Sequence, residues 1–551
     1  MKPAVTAEAL NVPEIFNVAT YFVDRNVILG RGTNVAIECG EARLTYQDVQ
    51  RNVNRCGNAL RRLGVRPEER VVLLLHDGPE FVYSFFGAIK IGAVPVPLNT
   101  LWKASDYHYV IRDSRATAMV ISPALLPAIL SIPPGERASL RHIIVTSGHG
   151  GPGSNDSTHS HTQFGLLLAQ GGADLEAEPT HRDAPAYWQY SSGSTGKPKG
   201  CVHLHHDLVV IAELFGKGVL GIGAKDRCYS VAKLFFAYGL GNALIFPFAV
   251  GATSILWPGP PAPEHVYATI ERYRPTLFFS VPTGYGMLLA HQKKASVSDT
   301  VGEDAARGDF DLSSVRLAVS AGEALPAALY ERFKARFGID TIDGIGSTEA
   351  GHMFISNRPG HIRPGSSGLL VDGYEARLLD DSGQPTPPGE IGNLWVSGDS
   401  VCALYWNQHE KTKDTIQGRW LRTGDKYTRD ADGYYWYAGR TDDMLKVGGL
   451  WVSPIEVENA LVAHVAVLEC GVVGREDHDG LVKPMAFVVL REGVAGTPDL
   501  GVELQQFVRQ RLAEYKRPRW VEFIAELPKT ATGKIQRFRL RDATGAKISG
   551  S

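Results

Sequence analysis

Apolar residues recur at Val49, Val53, Cys56, Leu60 and Leu63 with arginines between them, the spacing of an amphipathic helix. The run "RVVLLL" follows, continuous enough to be a strand covered on both faces. "PEFVYSFFGAIKIGAV" then reads as a helix whose aromatic stripe, Phe81 to Phe86, faces a core, and "PVPLN" opens the next strand. Strand, helix, strand at this spacing predicts a parallel α/β unit. "TAMVIS", "RHIIVTS", "TLFFSVP" and "VRLAVSAGEAL" repeat the theme, each an apolar strand breaking into small or polar residues, where open parallel sheets collect their sites. Beyond about residue 365 short strands and Gly/Pro turns predict a β-rich subdomain. From Thr441 a smaller α+β unit is expected, with "SPIEVENALVAH" and "LQQFVRQRLAEY" as helices and "VLECGVVG" and "KPMAFVVL" as strands. The expected organisation is a large N-terminal domain, 1–440, of layered α/β subdomains, followed by a small mobile C-terminal domain, 441–551.

Composition narrows this picture. The 551 residues, 44% hydrophobic and 21% charged, describe an ordinary globular chain too long for one core. A net charge of −2 gives no electrostatic reason to expect nucleic acid or an anionic membrane as partner. Six scattered cysteines form no C-x-x-C pair, which favours reduced thiols over a disulfide scaffold or zinc site. The N-terminus lacks a basic start and apolar core, and the most membrane-like stretch, Gly239 to Gly259, is broken by Pro247, Gly251 and Pro258. It reads as a buried helix followed by a strand, and a cytoplasmic protein is the expectation. The Gly/Ser/His-rich segment Ser147 to Thr162 reads as a surface loop without chemistry.

Chemistry concentrates in "YSSGSTGKPKG", Tyr190 to Gly200. The P-loop pattern requires Gly-Lys followed by Ser or Thr, and here Pro198 follows Gly196-Lys197. Hydroxyls and backbone N–H groups in a Gly-rich turn still form an anion-binding nest, to which a lysine adds charge. "GIGSTEAG" sets Thr348 beside Glu349, a hard-oxygen ligand suited to Mg²⁺ next to a phosphate. "RTGD" offers Asp425 to ribose hydroxyls, "GRTDDMLKVGG" crosses the expected domain boundary, and "PKTATGKIQR" holds Lys534 in a turn. "HLHH", His203 to His206, lacks the i, i+4 spacing of a helical metal pair and an accompanying carboxylate, so packing beside the phosphate loop is the preferred reading.

These five motifs, in this order across the whole chain, resemble the adenylate-forming superfamily of acyl-CoA synthetases, adenylation domains and luciferases. The resemblance implies ATP and Mg²⁺ as cofactors and CoA as co-substrate. Ser191, Ser192, Gly193, Ser194, Thr195, Gly196 and Lys199 would clamp the β- and γ-phosphates. Thr348 would contact the α-phosphate, Glu349 would position the metal, and Asp425 and Arg440 would hold the ribose. Asp442 would be the hinge, Lys534 the lysine of adenylation and Lys446 that of the second half-reaction, with Gly448 and Gly449 admitting the pantetheine thiol. A luciferase-like oxygenase is disfavoured by "KVGG", and an amino-acid-selecting adenylation domain by Ala237 and Tyr238 where an aspartate would stand. An adenylation enzyme loading a carrier protein, or a CoA ligase for another small acid, remains the alternative.

"FNVATYFVDRNV", "KLFFAYGLGN", "DGIGSTEAGHMFISNRPG" and "KVGGLWVSPIEVE" are most similar to benzoate–CoA ligases and related aryl-CoA ligases. That likeness implies a ring pocket formed by Phe236, Ala237, Tyr238 and Gly239 on one side and Gly344, Ile345 and His352 on the other. A flat pocket of aromatics and glycines suits a planar ring. Benzoate enzymes carry two bulky apolar residues where this chain has Ala350-Gly351, which predicts a roomier pocket and a substituted ring. The resemblance also suggests a homodimer.

Overall fold

The Tyr46–Arg62 helix starts where Thr45 caps it: the Thr45 side chain accepts from the Asp48 N–H and the Asp48 carboxylate accepts from the Thr45 N–H. Its stripe of Val49, Val53, Cys56 and Leu60 is buried as the periodicity predicts. The structure, a computed structural model, describes residues 5–147, 162–191, 197–291, 310–441, 443–447, 450–478, 481–529 and 535–543. Most of the His-rich segment read as a surface loop therefore lies outside the described residues.

Among the described residues, Arg70–Leu74 lies in a five-stranded parallel sheet between Val94–Pro97 and Ala118–Ile121, with His142–Val145 and Thr162–Gln163 beyond. The Pro79–Lys90 helix that follows this strand is buried along its whole length, which explains its apolar character on every face.

A nine-stranded sheet carries the strands that end at the site. Thr341–Gly346, Leu317–Ser320, Leu277–Ser280, Arg227–Ser230, Thr253–Ile255 and Val35–Cys39 run parallel through its centre. Antiparallel strands close both edges: Met353–Ser356 and Leu369–Leu370 on one side, Ala42–Thr45 on the other. The Gly239–Gly259 stretch is helical through Val250 and then enters the Thr253–Ile255 strand, as its proline and glycine breaks predict. No helix of the described residues is long and apolar enough to cross a membrane.

The β-rich region is a five-stranded antiparallel sheet built from Glu375–Leu379, Gly392–Ser397, Trp420–Arg429, Ile416–Gln417 and Tyr435–Arg440. The C-terminal unit has a three-stranded sheet, Val467–Glu476, Val482–Leu490 and Trp520–Phe523, with helices Pro454–Val462 and Pro498–Arg509. Val457, Leu461, Val472, Val488 and Leu504 form a hydrophobic core of its own. The fold is thus a large N-terminal α/β domain and a small C-terminal α+β domain.

Candidate active site

The two strands that flank the candidate phosphate segment, Pro185–Ser191 and Lys199–Leu204, are antiparallel, and Ser191 pairs with Lys199. Ser192, Gly193, Ser194, Thr195 and Gly196 lie outside the described residues. Lys199 lies 3.4 Å from Glu349 Oε1 and 3.3 Å from the Tyr405 hydroxyl, and its ammonium sits 4.4 Å from the Tyr405 ring centre. Tyr405 in turn donates its O–H to Glu349 Oε1 at 2.8 Å. Burial works to raise the Glu349 carboxyl, but the Lys199 charge and the Tyr405 hydrogen bond outweigh it and hold the carboxyl below its ordinary range. Burial, with Glu349 beside it, pushes the Tyr405 phenol well up, so it stays a donor. Glu349 is therefore a charged, largely buried carboxylate, the donor type that Mg²⁺ takes.

Tyr405 escaped the sequence reading. It reaches Glu349 because the short Leu404–Tyr405 strand pairs with Val202 and Cys201 and the Trp406 N–H donates to the Gly200 carbonyl. A pairing between segments so far apart leaves no local signal.

The turn after Thr341–Gly346 folds on itself: Ser347 Oγ accepts from the Ala350 N–H at 3.1 Å and the Thr348 carbonyl from the Gly351 N–H at 3.2 Å. His203 Nε2 donates to that same carbonyl at 2.8 Å, while His203 Nδ1 faces Asp207 Oδ2 at 2.8 Å. "HLHH" thus packs against the Thr348 turn, and the carboxylate expected to be missing is present as Asp207, four residues after His203; among the described residues no group of three or more His, Cys, Asp or Glu could hold a metal ion. Asp343, at the base of this turn, is a second residue the sequence did not disclose. It is buried, and desolvation pushes its carboxyl up to about 8 although the Leu325 N–H donates to it.

Asp425 and Arg440 are direct partners across the Trp420–Arg429 and Tyr435–Arg440 strands. Arg440 Nη1 donates to Asp425 Oδ1 and to the Thr423 carbonyl, each at 3.1 Å. Gly424 between them has φ +77°, and a Cβ there would stand 2.9 Å from Arg440 Nη2.

On the ring side, Phe236 precedes the helical turn Ala237–Leu240. The Tyr238 hydroxyl points to the Ser280 and Val319 carbonyls at 3.2 and 3.0 Å, at the ends of two parallel strands. Gly239 permits a close approach: a Cβ would lie 2.1 Å from the Lys233 oxygen. Gly344 is equally tight, 2.5 Å from the Ile355 oxygen by the same measure, and Ile345 is half-buried. His352 is buried among Phe215, Phe246 and Tyr238, and its Nε2 meets Asn242 Oδ1 at 3.1 Å. Burial drives its imidazole down to about 3, so it is neutral at pH 7.

Ala350 is fully buried in the core, and a Cβ on Gly351 would meet Ile211, His203 and the Ser400 oxygen, none of them a ring-wall residue. The left-handed φ of Gly351, +75°, turns that position toward the Lys199–Leu204 strand.

In the small domain, Lys446 lies in the Leu445–Val447 strand, where its backbone pairs with Trp451. Asp442, Gly448, Gly449 and Lys534 lie outside the described residues. Lys529 and Ile535, on either side of the residues that are not described, form an antiparallel bridge. Just beyond it, Arg537 makes a buried two-pronged pair with Glu458 at 2.7 and 2.9 Å. The Arg537 charge also reaches Tyr437, whose phenol in turn feels Asp425.

Comparison with known proteins matches residues 25–406 to "AMP-binding enzyme" and residues 456–534 to "AMP-binding enzyme C-terminal domain". The chain is 48% identical to a benzoate–CoA ligase of Thauera aromatica over 98% of each chain. It is 44% identical to a 4-hydroxybenzoate–CoA/benzoate–CoA ligase of Rhodopseudomonas palustris, over 96% of this chain and 94% of the relative. Among solved structures, an anthranilate CoA ligase in complex with anthranoyl-AMP superposes with a TM-score of 0.89 at 46% identity, covering 97% of this chain and 98% of the other.

Proposed function

This chain belongs to the AMP-binding enzyme family, and on that premise we propose that it joins benzoate or a substituted benzoate to CoA. It is an AMP-forming acid–thiol ligase using ATP and CoA. In the first half-reaction a carboxylate oxygen attacks the ATP α-phosphorus and pyrophosphate leaves; in the second the CoA thiol displaces AMP from the acyl carbon. The carboxylate is a poor electrophile, and the mixed anhydride gives it a good leaving group.

One observation carries the assignment. The segment Gly346–His352 meets Lys199 and Tyr405 through Glu349 and meets Tyr238 and Asn242 through His352, which supports a phosphate grip and an aromatic wall in one neighbourhood. Lys199 offers charge to the departing pyrophosphate, and Glu349 would hold Mg²⁺, which neutralises charge developing on the transferring group. Thr348 lies at the α-phosphate, and the paired Asp425 and Arg440 face the ribose. Phe236, Ala237, Tyr238, Gly239, Gly344 and Ile345 enclose the ring, with neutral His352 behind Tyr238. Lys534 serves adenylation and Lys446 the thiol step, the small domain turning about Asp442 to exchange them, with the boundary at Arg440. Six buried free cysteines suit a reducing cytoplasm, and the assembly is proposed to be a homodimer.

The test is thioester formation with benzoate and its hydroxy, amino, halo and methyl derivatives, alongside acid-dependent exchange of pyrophosphate into ATP. Exchange and thioester formation with at least one of these acids are expected. No exchange with any of them would overturn the assignment, and exchange without thioester formation would indicate a carrier protein as acceptor.

A further inference from the structure

Lys199, Cys201 and His203 alternate along one strand and so share one of its faces. At one end of that face Lys199 meets the Glu349 side chain, and at the other His203 meets the Thr348 carbonyl. Between them Cys201 packs against Cys402 and Tyr405, and the Cys402 N–H donates to the Glu349 carbonyl. The His203 side chain is fully buried, and its ring lies flat on Tyr187, its cross-strand partner, with centres 4.8 Å apart and planes 10° from parallel. A carbonyl can only accept, so Nε2 carries a proton, and Nδ1 is left facing the buried Asp207 carboxyl. Asp207 is itself fixed by the Leu204 N–H at the start of its helix. The Nε2 proton, the ring plane and the ring position are therefore set by these contacts.

We propose that His203, oriented by Asp207, is a positioning residue that staples the pyrophosphate-loop hairpin to the Thr348–Glu349 turn, fixing the distance between the groups that grip the leaving pyrophosphate and those that grip the α-phosphate. The staple rests on the phosphate-site reading above. It acts on adenylation alone, because the thiol step no longer involves pyrophosphate. Misplacing a reacting group by about 1 Å costs on the order of 100-fold in rate, so loss of the staple should be read in that half-reaction.

The experiment compares His203→Leu, His203→Gln, Asp207→Asn and, as a control on the site, Glu349→Gln. Adenylation is followed by benzoate-dependent pyrophosphate exchange, and the thiol step by conversion of supplied benzoyl-AMP with CoA. His203→Leu should lower exchange about 10- to 100-fold with the KM for benzoate and the thiol step each within about twofold. His203→Gln, whose amide N–H can reach the Thr348 carbonyl, should recover most of that loss, and Asp207→Asn should fall between them. Leucine and glutamine variants of equal activity, a leucine variant within about threefold of the parent, or equal losses in both half-reactions would overturn the staple. Should His203→Leu not fold, Asp207→Asn decides by the same split: a loss confined to exchange supports the staple and no such loss overturns it. Normal exchange by Glu349→Gln would remove the phosphate-site reading and the staple with it, whereas an impaired Glu349→Gln beside unaffected His203 variants would remove the staple alone.

Discussion

Glu349, though largely buried, stays charged because Lys199 and Tyr405 supply what burial takes away. The sign of the pH dependence follows. A carboxyl held below its ordinary range keeps its charge, and the stability its partners lend, above the ordinary value, and both are lost as pH falls through the lowered one. Tyr405→Phe removes the donor at 2.8 Å and leaves the burial, so the acid limb of pyrophosphate exchange should move to higher pH. A rate–pH profile checks this, with the acid limb displaced upward by about one pH unit if the donor contributes about 1.4 kcal/mol; an unmoved limb would show that Lys199 alone holds the charge. Glu349, Thr348, Lys199 and Asp425 could be singled out as candidates in the sequence because each sits in a short motif whose residue types carry their chemistry. Tyr405 and Asp343 were not, because their settings depend on strand pairing and burial that join distant segments, and Asp207 was overlooked although it lies only four residues from His203. Ala350 and Gly351 were harder to place from sequence for a related reason: proximity to His352 suggested the pocket, whereas the left-handed backbone at Gly351 directs a Cβ toward Ile211 and His203.

Elements were easier to read than their contacts. Apolar runs located the parallel strands, and the broken stretch from Gly239 gave a helix and then a strand, since proline and glycine interrupt helices in ways local chemistry dictates. The register that brings strand ends together carries no such mark. The helical turn at Ala237 illustrates this: it can start beside the proposed ring only because Gly239 lies against the carbonyls of Ala232 and Lys233. Gly239→Ala would place a methyl 2.4 and 2.1 Å from those oxygens, far inside van der Waals contact. The turn must shift, and with it Phe236 and Tyr238. The KM for benzoate should rise about tenfold or more, as expected of the loss of roughly 1.4 kcal/mol or more of ring contacts, while the KM for ATP stays within about twofold. Equal changes in both constants would place the effect in the fold as a whole.

At the scale of the molecule, the two proposed catalytic lysines belong to the same small domain but to different half-reactions. Lys534→Ala should abolish adenylate formation yet convert supplied benzoyl-AMP, and Lys446→Ala should do the reverse; equal losses in both would overturn the division of labour. Within this domain Arg537 is bound to the buried Glu458. Replacing one partner of such a buried pair typically costs about 3–5 kcal/mol, so this segment carries structural as well as catalytic constraints.

The topology of the large sheet has a consequence for how the chain is made. Val35–Cys39 is buried in the nine-stranded sheet, where Ile37 pairs with Ser254. A ribosome adds roughly 5–20 residues each second, so this strand emerges about ten seconds or more before the neighbour that covers it. For that interval the nascent chain presents an apolar hairpin with an open edge, the kind of surface that pairs with other chains. The connectivity thus makes the first fifty residues a natural client for a chaperone at the ribosomal exit.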